Sequence, residues 1–494
     1  MKHKLLLFLS ILTLSFYSCE KDNGPEVLTW DNSAEAYLKD STLYITKLLS
    51  LWQDKIVPAD INDILDSNKV RTITAPYETA EDLLGYLTSL TPKDPASKMP
   101  IDRFSFIDRQ SVVSDEIENA IATSYGIYTI FLQTQESAAD NNNAYLYVRM
   151  VDRGSNANEA GIGRGDRIIS INGNTKFDYN TQKAQDFKGL IDALNSKSMK
   201  IKVRTPEGVE FETTIYNKAY TLFPIITAST TNVGGEGVGY FALSSFLSIE
   251  TVDGQKTNLY HGLNTIFENF ENINAKYLIV DLRYNGGGAT NTAEFLANKI
   301  VPSSAENKIM YTYKTNPFVQ QEFSELLMPV SFHKEGNLEL KKVYFLVTES
   351  TASASELLIN VLKPYMDVQI IGPENTYGKP VGFWGILIGK PEAAADIYVT
   401  SFQLFNANNN GDYFSGFTPN KIANEGYLND FGDPNEGLLR TAVYHIANGS
   451  YPTLTRSMQG SMLRALPQNK QNFEFKSRAS DLGMFKFGNK KLKN

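Results

Sequence analysis

The sequence predicts an α/β multidomain protein with a small N-terminal helical domain, a β-rich domain with helices, and an α/β core of parallel βαβ units. Three observations carry this. The chain has 494 residues, more than one hydrophobic core ordinarily holds. Apolar residues recur at helical spacing near the start and then in short β-type runs broken by glycines. Further on, near-continuous apolar runs alternate with helical stretches, the pattern of strands buried on both faces and joined by crossover helices.

The start is a targeting pattern. Met1-Lys2-His3-Lys4 is basic, Leu5 to Tyr17 is a short apolar run, and Ser18-Cys19 precedes polar residues. The run is shorter than the roughly 20 residues a bilayer span needs. Residues 1–18 therefore read as a signal peptide. Cys19 is the single cysteine of the chain, which excludes an internal disulfide and a cysteine-based metal cluster. Its place at the junction resembles a bacterial lipoprotein signal, although Phe16 and Tyr17 are bulky for one. The resemblance implies lipidation at Cys19 and a lipidated tether over 19–30. It also implies a place in the cell envelope, on the periplasmic or outer-surface side of the outer membrane, with lipid as the sole membrane contact. The alternative is an ordinary secretory signal with an incidental cysteine. A formal net charge of −8, with no basic stripe, argues against nucleic acid as a partner.

Residues 31–110 form the expected helical domain. Tyr37, Leu38, Tyr44, Ile45, Leu48, Leu49 and Trp52 fall mostly at helical spacing, a second amphipathic stretch covers 80–90, and Pro92 to Pro100 breaks the pattern. No chemistry-bearing pattern lies in it. Residues 120–220 carry β-type runs at 128–132, 144–148, 167–171 and 201–203, with a helix-like stretch over 183–194. Asn172-Gly173 suits a tight hairpin, because both residues tolerate positive φ. The series Gly154-Ser155, Glu159-Ala160-Gly161-Ile162, Gly165-Asp166-Arg167 and Asn172-Gly173 resembles a PDZ domain. That resemblance implies capture of a peptide as an added strand, with Tyr125, Gly126 and Ile127 where the family's carboxylate-binding loop lies. A PDZ fold serving only as packing or as a lid is the alternative.

Residues 221–450 are the expected core. Buried strands are predicted at 277–282, 343–347 and 368–372, with helices over 292–300 and 354–362. Chemistry in such sheets gathers at the carboxyl ends of the strands, where the polar turns lie. Residues 303–335 lack periodicity and read as a covering insertion. Residues 451–494 form a basic C-terminal tail with no assignment.

Three of those turns matter. Ser353 sits among small residues where a helix begins, beside unpaired amides at the positive end of the dipole. Taken alone, Ser353 and Glu356 are equally a helix capping box. Lys379 lies in the turn after the next parallel strand, where partial desolvation would lower its pKa and make it a base. Taken alone, it is equally a solvated lysine. Gly286-Gly287-Gly288 follows the first core strand and lets backbone approach a substrate closely.

In this order, behind a PDZ-like segment, the three turns resemble the carboxy-terminal processing peptidases, or tail-specific proteases. The resemblance runs from roughly residue 100 to 447 and includes Gly411-Asp412-Tyr413 to Gly416-Phe417-Thr418-Pro419-Asn420. It implies Ser353 as nucleophile, Lys379 as general base, and oxyanion-binding amides at Ala354 and at Gly287 or Gly288. It implies a serine endopeptidase acting on protein or peptide substrates held by a carboxyl-terminal or unfolded segment, with no cofactor and no metal. The alternative is a weak or inactive peptide-binding lipoprotein on the same fold. One departure stands out. Phe383 occupies the position, four after the lysine, where the family often has a glutamine that orients it. Thr376, Asn375 and Gln403 are candidates to replace that glutamine. His261, His333 and His445 lie in no catalytic pattern, and no His-Glu-x-x-His appears.

Overall fold

The computed structural model describes residues 30–95, 98–453, 464–465 and 484–486; the signal-like start and Cys19 lie outside the described residues. No helix among the described residues is long and apolar enough to cross a membrane.

The first helix, Ala34–Leu49, begins where the Ser33 hydroxyl accepts from Ala36 N–H, with Glu35 in its first turn and Lys47 in its last. Helix Ala80–Ser89 carries a capping box between Thr79 and Asp82. Leu38, Leu48 and Leu84 share one continuous hydrophobic core with Trp384, Ile388 and Val399 of the α/β region. The N-terminal helices are therefore packed onto the core.

The β-rich domain is an antiparallel sheet in the order Arg464–Ala465, Ile127–Gln133, Tyr145–Val151, Arg167–Ile171, Ser198–Arg204, Glu210–Tyr216. Asn172 and Gly173 both take positive φ, 52° and 78°, in the turn between Ile171 and Asn174. The helix expected over 183–194 divides into Tyr179–Lys183 and Lys188–Asn195. Asp186 and Phe187 turn to positive φ between them. This buries the Phe187 ring against Phe131 and Tyr179.

The core centres on a six-stranded sheet ordered Lys421–Ile422, Asp367–Gly372, Lys342–Leu346, Tyr277–Asp281, Glu236–Leu243, Ile225–Val233. All neighbours are parallel except the last pair. Helices Asn258–Asn272, Thr290–Ile300 and Ala354–Leu362 bury their apolar residues on one face. Helix Gly437–Asn448 covers the other, through Leu438, Leu439 and Ala442. Parallel order places the turns after Tyr277–Asp281, Lys342–Leu346 and Asp367–Gly372 side by side at one end of the sheet.

A second sheet has no counterpart in the sequence reading. Its order is Gly288–Ala289, Met484–Phe485, Val381–Ile388, Ala395–Asn406, Ile309–Lys314, Val330–Ser331, with Phe106–Asp108 also on Ala395–Asn406. One expectation is corrected, and one unassigned segment gains a role. The stretch 303–335 is not only a covering insertion, because Ile309–Lys314 is a paired strand with Met310 and Tyr311 buried. Its two adjacent buried residues break the alternation that marks a strand in sequence. The tail likewise contributes Met484–Phe485, paired on both sides.

Candidate active site

Ser353 is the N-cap of helix Ala354–Leu362 and sits at φ 60°, ψ −110°. A serine held at positive φ is strained, and surrounding structure must over-determine it. Here a glutamate does so. Glu356 Oε2 accepts from Ser353 N–H at 2.9 Å and from Lys379 N–H at 2.8 Å. Oε1 accepts from Gly378 N–H at 2.8 Å and from the Thr376 hydroxyl at 2.5 Å. A shared acceptor keeps the amides of Ser353 and Lys379 within about 5.7 Å of each other, the sum of the two distances. The serine hydroxyl is buried and makes no hydrogen bond. Burial pushes the Glu356 carboxyl up, and its hydrogen bonds pull it back.

Lys379 is 3 % exposed. Its Nζ lies 4.3 Å from the Phe383 ring centroid and 4.9 Å from that of Phe104. Burial pushes its pKa down to about 7, with the Asp102 charge opposing and Arg103 assisting. An amine with that value is partly neutral at ordinary pH and can take a proton. Phe383, at the position where a glutamine would orient the lysine, supplies an aromatic face instead. The three candidate replacements each donate hydrogen bonds. Thr376 donates to Glu356, the Asn375 amide to Ser415 O, and the Gln403 amide to Gly411 O and Asp412.

The Gly-rich turn closes on the serine turn. A Cβ on Gly287 would lie 2.9 Å from Ser353 Cβ and 3.0 Å from Ala354 N, and one on Gly288 would lie 2.2 Å from Phe246 O. Glycine is required at both on space and on φ, 114° and 132°. Asn285 staples the two turns: its carbonyl accepts from Ala352 N–H and from the Ser355 hydroxyl, and its Oδ1 accepts from Gly287 N–H at 3.0 Å. Ala354 opens the helix, so its N–H has no partner within it.

Tyr125, Gly126 and Ile127 begin the strand Ile127–Gln133 in the β-rich domain. Gly126 N–H donates to the Ser124 hydroxyl at 2.9 Å, and Tyr125 is buried with its hydroxyl on Ser196 O. This domain touches the catalytic end through Arg164. Arg164 pairs with Glu425 at 2.6 Å and donates to the Tyr284 hydroxyl at 3.2 Å, and Tyr284 precedes the Gly-rich turn. His445 bonds the Tyr344 hydroxyl on the sheet face opposite the serine helix, and His333 is an exposed partner of Glu306.

Residues 237–420 match the model of peptidase family S41, and residues 147–205 match that of the PDZ domain. These two segments are similar to an S41 peptidase domain and to a PDZ domain. A carboxy-terminal processing protease of Bacillus subtilis (strain 168) is 22% identical over 332 residues, covering 63% of each chain. A carboxyl-terminal-processing protease of Synechocystis sp. is 28% identical over 229 residues, covering 46% of this chain and 47% of that one. The chain thus spans about half to 63% of the length of these relatives. A crystal structure from Bacteroides fragilis NCTC 9343, assigned to the S41 proteases, aligns with a TM-score of 0.61 at 22% identity, over 87% of this chain and 100% of that one. It shares the fold. Ser353, Lys379 and the Gly-rich turn all fall within the matched residues 237–420. Phe104 and Asp102, beside the lysine, come from outside them.

Proposed function

We propose that the protein is a serine endopeptidase with a Ser353–Lys379 dyad, acting on protein or peptide segments captured by the PDZ domain. One observation carries this reading: the backbone amides of Ser353, whose hydroxyl is buried and unbonded, and of Lys379, whose pKa burial lowers to about 7, donate to the same Glu356 oxygen. Ser353 Oγ attacks the peptide carbonyl while Lys379 Nζ takes its proton. The C–N bond then breaks, and Lys379 returns the proton to the leaving amine. Water, deprotonated by the same amine, attacks the ester and frees Ser353. Ala354 N–H faces the developing oxyanion, and the second donor is Gly288, or Gly287 once its N–H leaves Asn285 Oδ1. The carboxyl-terminal or unfolded end of the substrate adds as a strand beside Ile127–Gln133, with Tyr125, Gly126 and Ile127 at its end. Cys19 carries the lipid that holds the protein in the cell envelope.

The test is direct. A serine-directed acylating probe labels Ser353 in the parent and fails to label it in Lys379→Ala, and Ser353→Ala stops cleavage of an unfolded protein. Parental cleavage by Ser353→Ala sinks the assignment. Absence of both cleavage and labelling in the parent leaves a peptide-binding protein on this fold.

A further inference from the structure

Two short segments of the tail are added to two different sheets, one between strands and one at an edge. Met484–Phe485 lies between Gly288–Ala289 and Val381–Ile388, parallel to both, with Met484 opposite Gly288 and Gly382. One neighbour continues directly from Gly287. The other begins two residues after Lys379. Met484 and Phe485 are 0 % and 1 % exposed, and the Phe485 ring meets Phe383 at 5.7 Å and Tyr398 at 5.3 Å. Lys486 N–H donates to Phe383 O, and its Nζ reaches Glu294 at 3.3 Å and the Tyr311 hydroxyl at 2.8 Å. The second segment, Arg464–Ala465, pairs antiparallel with Gln133 and Leu132. That strand is the one Tyr125, Gly126 and Ile127 begin.

Both segments are held in the manner of strand addition, one beside the strand proposed to receive substrate and one next to the Gly-rich and lysine turns. Main-chain pairing binds the segment, and slots for its side chains select it. At the catalytic end the slots take an apolar residue, an aromatic residue and a cation in succession. Glycine at 382 leaves room for the tail backbone, since a Cβ there would lie 3.1 Å from Met484 O.

We propose that the tail, seated at Arg464–Ala465 and Met484–Lys486, is an intramolecular ligand of the PDZ edge and the catalytic cleft, and competes there with substrate. The competition with catalysis rests on the peptidase reading above; the occupancy does not. A substrate must displace the tail, so its apparent affinity falls by the fraction of molecules with the cleft open.

The experiment uses the full chain. Phe485→Asp places a carboxylate in an apolar slot, and Lys486→Glu sets like charge against Glu294. Each is expected to speed cleavage of an unfolded protein about tenfold. In a Ser353→Ala background, each is expected to bind a fluorescein-labelled synthetic peptide of residues 480–490 about tenfold more tightly than the unsubstituted chain, by anisotropy. Glu294→Lys alone should speed cleavage as Lys486→Glu does but bind the peptide, which carries Lys486, no better than the unsubstituted chain, and the double charge swap should return cleavage toward the parent. If Phe485→Asp fails to fold, the charge series carries the test. Tail variants that melt like the parent yet bind the peptide no better overturn the proposal. Variants that cleave more slowly, with added peptide restoring the rate, overturn competition and make the tail an activating strand. Tighter peptide binding with no cleavage by any form leaves the occupancy standing and removes the peptidase reading.

Discussion

Two buried cations lie at the catalytic end of this molecule, and their surroundings differ. Arg283 is 1 % exposed and is held by Asp281 and Glu436 at 2.8 Å, with Glu425 at 3.4 Å. Lys379 is nearly as buried but faces the rings of Phe104 and Phe383. Burial alone would lower the pKa of both. Around Arg283 the three carboxylates outweigh it and hold the guanidinium well above its ordinary range. Around Lys379 burial wins, and the value falls to about 7. Carboxylate company makes a fixed charge that ties elements together. Aromatic company makes a group that exchanges a proton near neutrality.

Four outcomes would sharpen or break this contrast. The largest concerns rate: Lys379→Ala is expected to lower cleavage of an unfolded protein by about 10²–10⁴-fold, the range for a lost general base. Next is stability. Arg283→Met strands Asp281 and Glu436 without their partner and should cost about 3–5 kcal/mol in urea unfolding. The matched change Lys379→Met should have the opposite sign at pH 6, stabilising by about 1–4 kcal/mol, because burial there outweighs the Asp102 and Glu356 charges that favour the ammonium. Equal signs for the two would break the comparison.

The third outcome follows from linkage. The Lys379 pKa is lower folded, about 7, than its ordinary 10.5. Its unfavourable contribution is therefore full below pH 7 and relieved as pH rises between those values, where only the unfolded chain keeps the proton. The stability gain of Lys379→Met should shrink over that window, and the cleavage rate should rise with pH through about 7 in step. A rate independent of pH from 6 to 8 would remove Lys379 as base. The smallest effect belongs to Phe383→Leu. An aromatic face favours the ammonium, so its loss should move the rising limb of the rate profile to lower pH, by up to about one unit. Movement to higher pH would show that the ring acts mainly by excluding water.

The serine and lysine turns were legible because each is local. An apolar strand, a polar turn and a helix are readable within 20 residues, and helix Ala354–Leu362 has the bounds its pattern predicts. What escaped is what arrives from elsewhere. Glu356 reads as a capping residue, and it does accept from Ser353 N–H. Its bonds to Thr376, Gly378 and Lys379 depend on a neighbouring parallel strand and leave no periodic trace. Phe104 and Asp102 belong to a segment whose pattern signals only packing. The second sheet was missed for a related reason: its strands lie far apart in the chain and include two-residue pieces too short to carry a period.

Glu356 has one more consequence. Ser353 and Lys379 sit on separate elements, and two separate supports would let each wander independently. Both are instead referenced to one carboxylate, so a shift of the helix carries the lysine turn along with the serine. The separation that governs proton transfer therefore has a single source of error, and mutations that displace the scaffold around it can leave that separation intact.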